Sequence, residues 1–148
     1  MSTGLLIVGH GSRDPSANIE FESVVATYRA MHPDLHVVHG YVVLASPSLA
    51  TALRELAQRV VSVVVLPLFL FAAGHVKNDI PLALSQVRED FPTVRFTVTN
   101  ALGVHPNLID LAFLRAQTAL EGAAEAANTA VVVVGRGASD PDANGDFC

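Results

Sequence analysis

Residues 5–15 read LLIVGHGSRDP, a short apolar run followed by two glycines around a histidine and then by an Asp-Pro pair. Continuous Leu, Ile and Val are typical of a strand that is buried on both faces of a parallel sheet. Asp14 followed by Pro15 is the pattern of a helix N-cap with proline at the first helical position. The stretch therefore predicts a strand, a tight turn and a helix, which together open an α/β domain.

The same alternation continues along the chain. The five predicted strands are Leu5–Val8, Leu35–Leu44, Val61–Leu66, Val94–Thr99 and Ala130–Val134. The predicted helices begin after Asp14-Pro15, at Ser46-Pro47, after Asp79 and near Pro106. This order predicts an α/β fold: a parallel sheet with helices on both faces and right-handed crossovers, a flavodoxin-like three-layer sandwich. In such a sheet, ligands bind beyond the carboxyl ends of the strands.

Helical periodicity predicts which side chains face the sheet. The predicted inward residues are Phe21, Val24, Val25 and Tyr28 in the first helix, Leu49, Ala52, Leu53 and Leu56 in the second, and Ile80, Leu84, Val87 and Phe91 in the third. The fourth helix is apolar on more than one side, so we expect it to be buried or to lie at an interface.

The composition excludes several classes of protein. The chain has 148 residues, of which 51% are hydrophobic and 16% charged, as suits a compact domain. A net charge of -5 without a cluster of Lys or Arg disfavours a nucleic-acid partner. One cysteine, Cys148, excludes an internal disulfide framework. The N-terminus has no signal-peptide pattern, and no apolar run of the sequence is long enough to span a membrane. We therefore expect a soluble, cytoplasmic protein.

The glycine-rich turn occurs twice. Residues 9–21, GHGSRDPSANIEF, return as residues 135–147, GRGASDPDANGDF, with Gly, Gly, Asp, Pro, Ala, Asn and Phe in register. The repeat predicts a duplicated domain: a first α/β domain over residues 1–128 and the incomplete start of a second over residues 129–148. We therefore expect the sequence to be the N-terminal part of a longer protein. Because Arg136 replaces His10, the two copies cannot carry the same chemistry.

Two histidines follow the ends of predicted strands. His10 lies between Gly9 and Gly11, where the backbone can turn sharply and let a ligand approach. His75 follows the third strand by a few residues. Strands one and three of such sheets end on the same side and are commonly neighbours, so we expect the two imidazoles to converge. Two imidazoles suit a divalent metal such as Fe, Co, Ni or Zn, whereas the structural alternative is a turn histidine and a helix-flanking one.

The remaining polar residues are interpreted as structural. His36 and His39 are predicted to pack or lie at the surface, His32 to end a helix, and His105 to begin one. Asp14 and Asp79 are interpreted as helix N-caps, and Lys77 as a solvated charge.

At these residues the sequence resembles the class II, CbiX-type chelatases, which are the sirohydrochlorin cobaltochelatases and ferrochelatases. The resemblance is carried by residues 8–13 (VGHGSR), 67–81 (PLFLFAAGHVKNDIP) and 102–106 (LGVHP). It implies two similar α/β halves that face each other across a tetrapyrrole cleft. The second half would come from a longer chain or from a homo-oligomer. The resemblance also implies Co²⁺ or Fe²⁺ as a substrate, no organic cofactor, and an iron–sulfur cluster only beyond residue 148.

The resemblance further implies residue roles. His10 would be a metal ligand and the catalytic proton acceptor, and His75 would be a second ligand. The predicted substrate-binding residues are Ser46, Leu70, Phe71, Ala72, Ala73, Gly74 and His75 and, from residue type and repeat position alone, Arg136. Metal insertion releases two pyrrole N–H protons, so a neutral imidazole near the ring is useful.

One segment departs from the family pattern. Family members carry a metal-site Glu in a segment resembling Phe-Leu-Glu-Leu-x-Glu-Pro, whereas residues 41–47 here read YVVLASP. Val43 and Ser46 therefore stand where the family has carboxylates, and Asp79 is one candidate to substitute. Three hypotheses stay open: a chelatase, a non-catalytic tetrapyrrole- or metal-binding protein, and a phosphoryl-transfer histidine at His10. The last would need an arginine cluster, and only Arg13 is near in sequence.

Overall fold

Four parallel strands form one sheet in the computed structural model, which describes residues 2–120, 130–135, 137 and 140–145. The strands are β1 (Thr3–Gly9), β2 (His36–Tyr41), β3 (Ser62–Pro67) and β4 (Arg95–Val98). Their order in the sheet is β2-β1-β3-β4, and every pair is parallel. The predicted α/β class is confirmed, and β1 lies between β2 and β3 as predicted.

Helices connect the strands and follow the last one. They are α1 (Pro15–Met31), α2 (Leu49–Ala57), α3 (Ile80–Asp90), α4 (Pro106–Leu120) and α5 (Pro141–Gly145), and a π-helical turn, His75–Asp79, leads into α3. Across the described ranges, no helix has both the length and the apolarity that a membrane span requires.

The ends of the helices follow their capping residues. Asp14 caps α1 by accepting from the Ser16 backbone N–H. The second helix begins later than predicted, because Ser48 rather than Ser46 is its N-cap and accepts from the Thr51 N–H. Local hydrogen bonding therefore places the helix boundaries at short polar side chains.

The core has two layers, one on each face of the sheet. On one face, α2 and α3 cover β1 and β3, and the predicted inward residues Leu49, Ala52, Leu53 and Leu56 are all buried. On the other face, Val25 of α1 packs with Leu5, Ile7 and Val37. Val24, also predicted to face inward, is half exposed, because only Val25 of this adjacent pair points at the sheet. Each side of the central strand β1 is thus covered by apolar side chains.

The predicted fifth strand, Ala130–Val134, is wrong as far as the structure describes it, because residues 130–135 form no strand. The exposed fraction rises from 60% at Val131 to 84% at Val134. Apolar composition makes a segment suited to a sheet, but a strand forms only where a neighbour satisfies its backbone groups. The predicted domain boundary between residues 128 and 129 lies outside the described residues.

Helix α4 is not a buried helix. None of its residues is buried, and Ile109, Leu111, Phe113 and Leu114 are exposed. Its predicted burial is therefore wrong within this chain, whereas its location at an interface stays a prediction.

Candidate functional site

Backbone pairing continues past the ends of the strands and places His10 in the middle of the carboxyl edge of the sheet. The Val43 N–H donates to the His10 carbonyl at 3.0 Å, so the loop after β2 flanks His10 on one side. The Leu68 N–H donates to the Val8 carbonyl at 2.8 Å, so the segment after β3 flanks it on the other. This edge is where parallel α/β sheets bind ligands.

The His10 ring is exposed and has a defined tautomer when neutral. Its Nδ1 lies 2.7 Å from the carbonyl oxygen of Gly11. A carbonyl can only accept, so Nδ1 carries the proton and donates it to this bond. The lone pair then resides on Nε2, which can ligate a metal ion or accept a proton.

The turn that carries His10 requires glycine at position 11. The φ angle of Gly11 is +88°, in the left-handed region that L-residues avoid. A Cβ atom at this position would overlap the carbonyl oxygen of Val43. The loop after β2 thus presses directly on the His10 turn.

A hydrogen bond between Tyr41 and the half-exposed Glu22 supports this turn from below. The buried Tyr41 hydroxyl donates to Glu22 Oε1 at 2.8 Å, and the Phe21 ring lies 5.1 Å from the Tyr41 ring and against Gly9. Burial, and after it the hydrogen bond and negative charge of Glu22, raise the pKa of Tyr41 to about 12. The phenol therefore stays neutral and keeps donating. His39 packs edge-on against the same rings, as predicted for a packing residue.

No pattern in the sequence predicts the contact between Glu22 and Tyr41. The available signals were a tyrosine at the last position of a strand, and a glutamate beside Phe21 on the inward stripe of α1. Neither signal indicates a function alone, because the contact joins two elements that are separate in sequence.

The segment after β3 forms the other flank of the site. Leu70 is 57% exposed, Gly74 is exposed, and residues 71–73 between them are half-buried. The Gly103 N–H donates to the Leu70 carbonyl at 2.7 Å and so ties this segment to the loop after β4. The segment ends in the π-helical turn, whose first residue is His75. The backbone of His75 is described but its side chain is not, so the convergence of the two imidazoles stays a prediction.

The loop after β2 brings no carboxylate to His10. Val43 is 36% exposed, Ser46 is exposed, and Leu44 has a φ of +63°, a strained value for a leucine. Ser46 and Leu70 lie on opposite sides of His10, because β1 separates β2 from β3. Arg136 lies outside the described residues.

Within the described part of the chain, no group of three or more His, Cys, Asp or Glu residues is arranged to hold a metal ion. Asp79 lies at the end of the π-helical turn and makes no side-chain cap bond to α3, so its interpretation as an N-cap is wrong. The reason is that the turn runs into α3 with helical backbone angles, and a cap needs an extended one.

Contacts decide three other interpretations, those of Lys77, His32 and His105. Lys77 is not simply a solvated charge, because its Nζ lies 2.7 Å from Asp140 Oδ2. His32 and His105 have the predicted structural roles. His32 caps the end of α1, and His105 Nδ1 accepts from the Asn107 N–H at the start of α4.

Comparisons with known proteins match this arrangement. The family model described as CbiX matches residues 4–119. The chain is 36% identical over 147 residues to the sirohydrochlorin cobaltochelatase of Priestia megaterium, covering 97% of this chain and 47% of that protein. It is 33% identical over 126 residues to the sirohydrochlorin cobaltochelatase of Methanosarcina barkeri, covering 79% of this chain and 96% of that protein.

Among solved structures, SirB from Bacillus subtilis with Fe³⁺ has the same fold. The TM-score is 0.87 at 28% identity, over 99% of this chain and 57% of that one. The chain thus spans about half the length of the bacterial relatives that it matches, and nearly all of the shorter archaeal one.

Two left-handed glycines provide a test of the His10 turn. Gly103→Ala should lower the free energy of unfolding by about 1–2 kcal/mol, the cost of a left-handed L-residue, because nothing lies within 4 Å of the added Cβ. Gly11→Ala should cost more, since its Cβ also meets the Val43 carbonyl. Urea unfolding of both variants measures the difference, and equal losses would contradict the contact.

Alkaline titration tests the contact beneath the turn. The folded-state pKa of Tyr41 is raised above the ordinary 10.0 to about 12, so its stabilising contribution is present below pH 10 and is lost as pH rises towards 12. The phenolate absorbance of wild type minus that of Tyr41→Phe should have its midpoint near pH 12. Urea unfolding should show wild type losing stability relative to Tyr41→Phe over the same window. A phenolate midpoint near pH 10 would refute the buried donor.

Proposed function

The chain belongs to the CbiX family, and on that premise we propose that it inserts a divalent metal ion, Co²⁺ or Fe²⁺, into sirohydrochlorin. The step belongs to cobalamin or sirohaem biosynthesis and makes the protein a lyase-type chelatase. Metal ion and tetrapyrrole are both substrates, and the reaction exchanges one metal ion for two pyrrole protons. No organic cofactor is needed for this exchange.

The observation that carries the proposal is the position and tautomer of His10. The ring lies at the carboxyl edge of the sheet between two loops, and the Gly11 carbonyl holds the proton on Nδ1. Nε2 is then the atom that can first ligate the metal ion and then take a pyrrole proton. A fixed tautomer matters because a ring that turned over would present a donor to the incoming cation.

We assign His75 as the second metal ligand. It begins the π-helical turn after β3, the direct neighbour of β1, and π-helical turns are frequent at functional sites. Two ligands hold the ion weakly enough for its transfer to the four pyrrole nitrogens of the macrocycle.

The substrate-binding surface in this proposal consists of Ser46 on one side of His10 and Leu70 to His75 on the other. The exposed Leu70 offers apolar contact to the face of the macrocycle. Arg136 is proposed to pair with one of the acidic arms of the tetrapyrrole, because guanidinium groups bind carboxylates with two parallel hydrogen bonds. A KM for sirohydrochlorin that is the same in Arg136→Ala would remove this assignment.

We further propose that residues 1–128 form one chelatase half and that residues 129–148 begin a second, as in a two-domain member. Gly11 and Gly137, equivalent in the repeat, both have positive φ, and each turn leads through Asp-Pro into a helix. The exposed apolar residues of α4 suit an interface. The alternative is a homo-oligomer, which light scattering on the 148-residue chain would detect as a dimer, whereas a monomer favours a second half in the same chain.

One observation favours a second function, a non-catalytic tetrapyrrole- or metal-binding protein. Among the described residues, no group of three or more His, Cys, Asp or Glu residues is arranged to hold a metal ion, and Val43 and Ser46 stand where the resemblance implies carboxylates. Such a protein would bind sirohydrochlorin or Co²⁺ without accelerating their combination.

The histidine assignments predict the outcome of an anaerobic absorbance assay of sirohydrochlorin with Co²⁺, Fe²⁺ or Ni²⁺. Wild type should accelerate insertion, and His10→Ala should slow it about 100-fold or more through loss of the proton acceptor. His75→Ala should weaken metal binding about tenfold or more. His36→Ala, which removes an exposed histidine at the start of β2, is the matched control and should behave as wild type.

Two outcomes would decide against this assignment. Unchanged turnover in the His10→Ala, His75→Ala double variant would remove both residues from the reaction. Binding of the macrocycle and of Co²⁺ with no acceleration by wild type would favour the non-catalytic function.

The departure at position 43 predicts a gain of metal affinity. The backbone N–H of residue 43 is hydrogen-bonded to the His10 carbonyl, so Val43→Glu would place an anionic oxygen close to the ion. A charge-assisted contact contributes about 1.5–3 kcal/mol, which corresponds to about a tenfold or greater rise in Co²⁺ affinity. Calorimetric titration should show this rise in Val43→Glu and not in Val43→Gln, and equal affinities would refute the proximity of this side chain to the metal site.

A further inference from the structure

An ion pair joins the π-helical turn to the second copy of the repeat. Lys77 Nζ lies 2.7 Å from Asp140 Oδ2, with 39% and 15% of the two side chains exposed. Among the ion pairs of the described residues, no other carboxylate is as strongly covered: those of Asp90 and Glu55 remain about half exposed. A covered pair is less screened by water and salt than a surface pair, so its geometry is held more firmly.

The lysine sits at the centre of the turn that begins at His75. The turn spans His75–Asp79, and the Lys77 N–H donates to the Ala73 carbonyl at 3.0 Å where the turn starts. Lys77 therefore fixes the turn twice, by its backbone to the segment before it and by its ammonium group to Asp140. π-helical geometry is uncommon and persists where surrounding contacts stabilise it.

The two copies of the repeat differ two positions after their equivalent aspartates, Asp14 and Asp140. In the first copy, Asp14 accepts from both the backbone N–H and the hydroxyl of Ser16, each at 2.9 Å, and these bonds lower its pKa. In the second copy the position of Ser16 is taken by Asp142, which has no hydroxyl to donate. The Lys77 ammonium group donates to Asp140 from a distant part of the chain.

We propose that Lys77 and Asp140 are positioning residues, whose ion pair holds the turn that begins at His75 against Asp140 at the start of α5 and thereby sets the metal affinity of the site. The effect on metal affinity rests on the proposed function, whereas the mechanical effect on the turn does not. The second copy of the repeat thus contributes a stabilising ion pair, here called the clamp, to the turn that begins at His75.

Hydrogen exchange of the 148-residue chain tests the mechanical part. Lys77→Met and Asp140→Asn should each accelerate amide exchange at residues 75–79 about tenfold, because local opening no longer breaks the ion pair. Arg54→Met is the matched control: it removes a bond of 3.0 Å to Asp90, far along α3 from the turn, and should leave exchange at residues 75–79 as in wild type. Unchanged exchange in both Lys77→Met and Asp140→Asn would overturn the proposal.

Co²⁺ titration of the same proteins tests the positioning role. Each single variant should weaken Co²⁺ binding about fivefold, the double neutral variant no further, and the exchanged pair Lys77→Glu with Asp140→Lys should recover to within about twofold. A purely structural role would lower stability and leave Co²⁺ affinity unchanged, and that result would overturn the positioning role. If wild type itself binds no Co²⁺, the proposed function fails, and the exchange measurement alone then decides whether the clamp exists.

Discussion

The backbone hydrogen bond from Val43 to the carbonyl of His10 is the contact on which the candidate site depends. It extends the pairing of β1 and β2 beyond the strands and holds the loop after β2 against the turn that carries His10. The same turn can accept this loop only because Gly11 has no side chain at the point of contact. The solvent-exposed turn that carries His10 is thereby held by the sheet beneath it.

The chemistry of this fold is confined to the edge of the sheet. None of the described residues that are buried is charged, and the one buried phenol, Tyr41, has its hydrogen bond satisfied by Glu22. The interior is therefore packed almost entirely with apolar side chains, and the loops carry the groups that can bind an ion or a proton.

The glycine turn occurs twice in the sequence and carries different side chains in its two copies. Gly11 and Gly137 both have left-handed backbone angles, and both turns open a helix through Asp-Pro. The backbone design is shared, whereas the residue between the glycines is His10 in one copy and Arg136 in the other. Asp14 caps α1, and Asp140 forms an ion pair with Lys77 of the π-helical turn.

The amino-acid sequence alone predicts the strand–turn–helix units, the inward face of α2, the cap at Asp14 and the edge at which His10 lies, because periodicity and capping depend on residues close together in the chain. It misplaced the start of α2 and predicted a strand at Ala130–Val134, where no pairing partner is present in the described residues. The contacts of Val43 with Gly11, of Glu22 with Tyr41 and of Lys77 with Asp140 are visible only in the folded chain. Each of these contacts joins segments whose distance in space depends on how the whole sheet is ordered, and no local pattern encodes that distance.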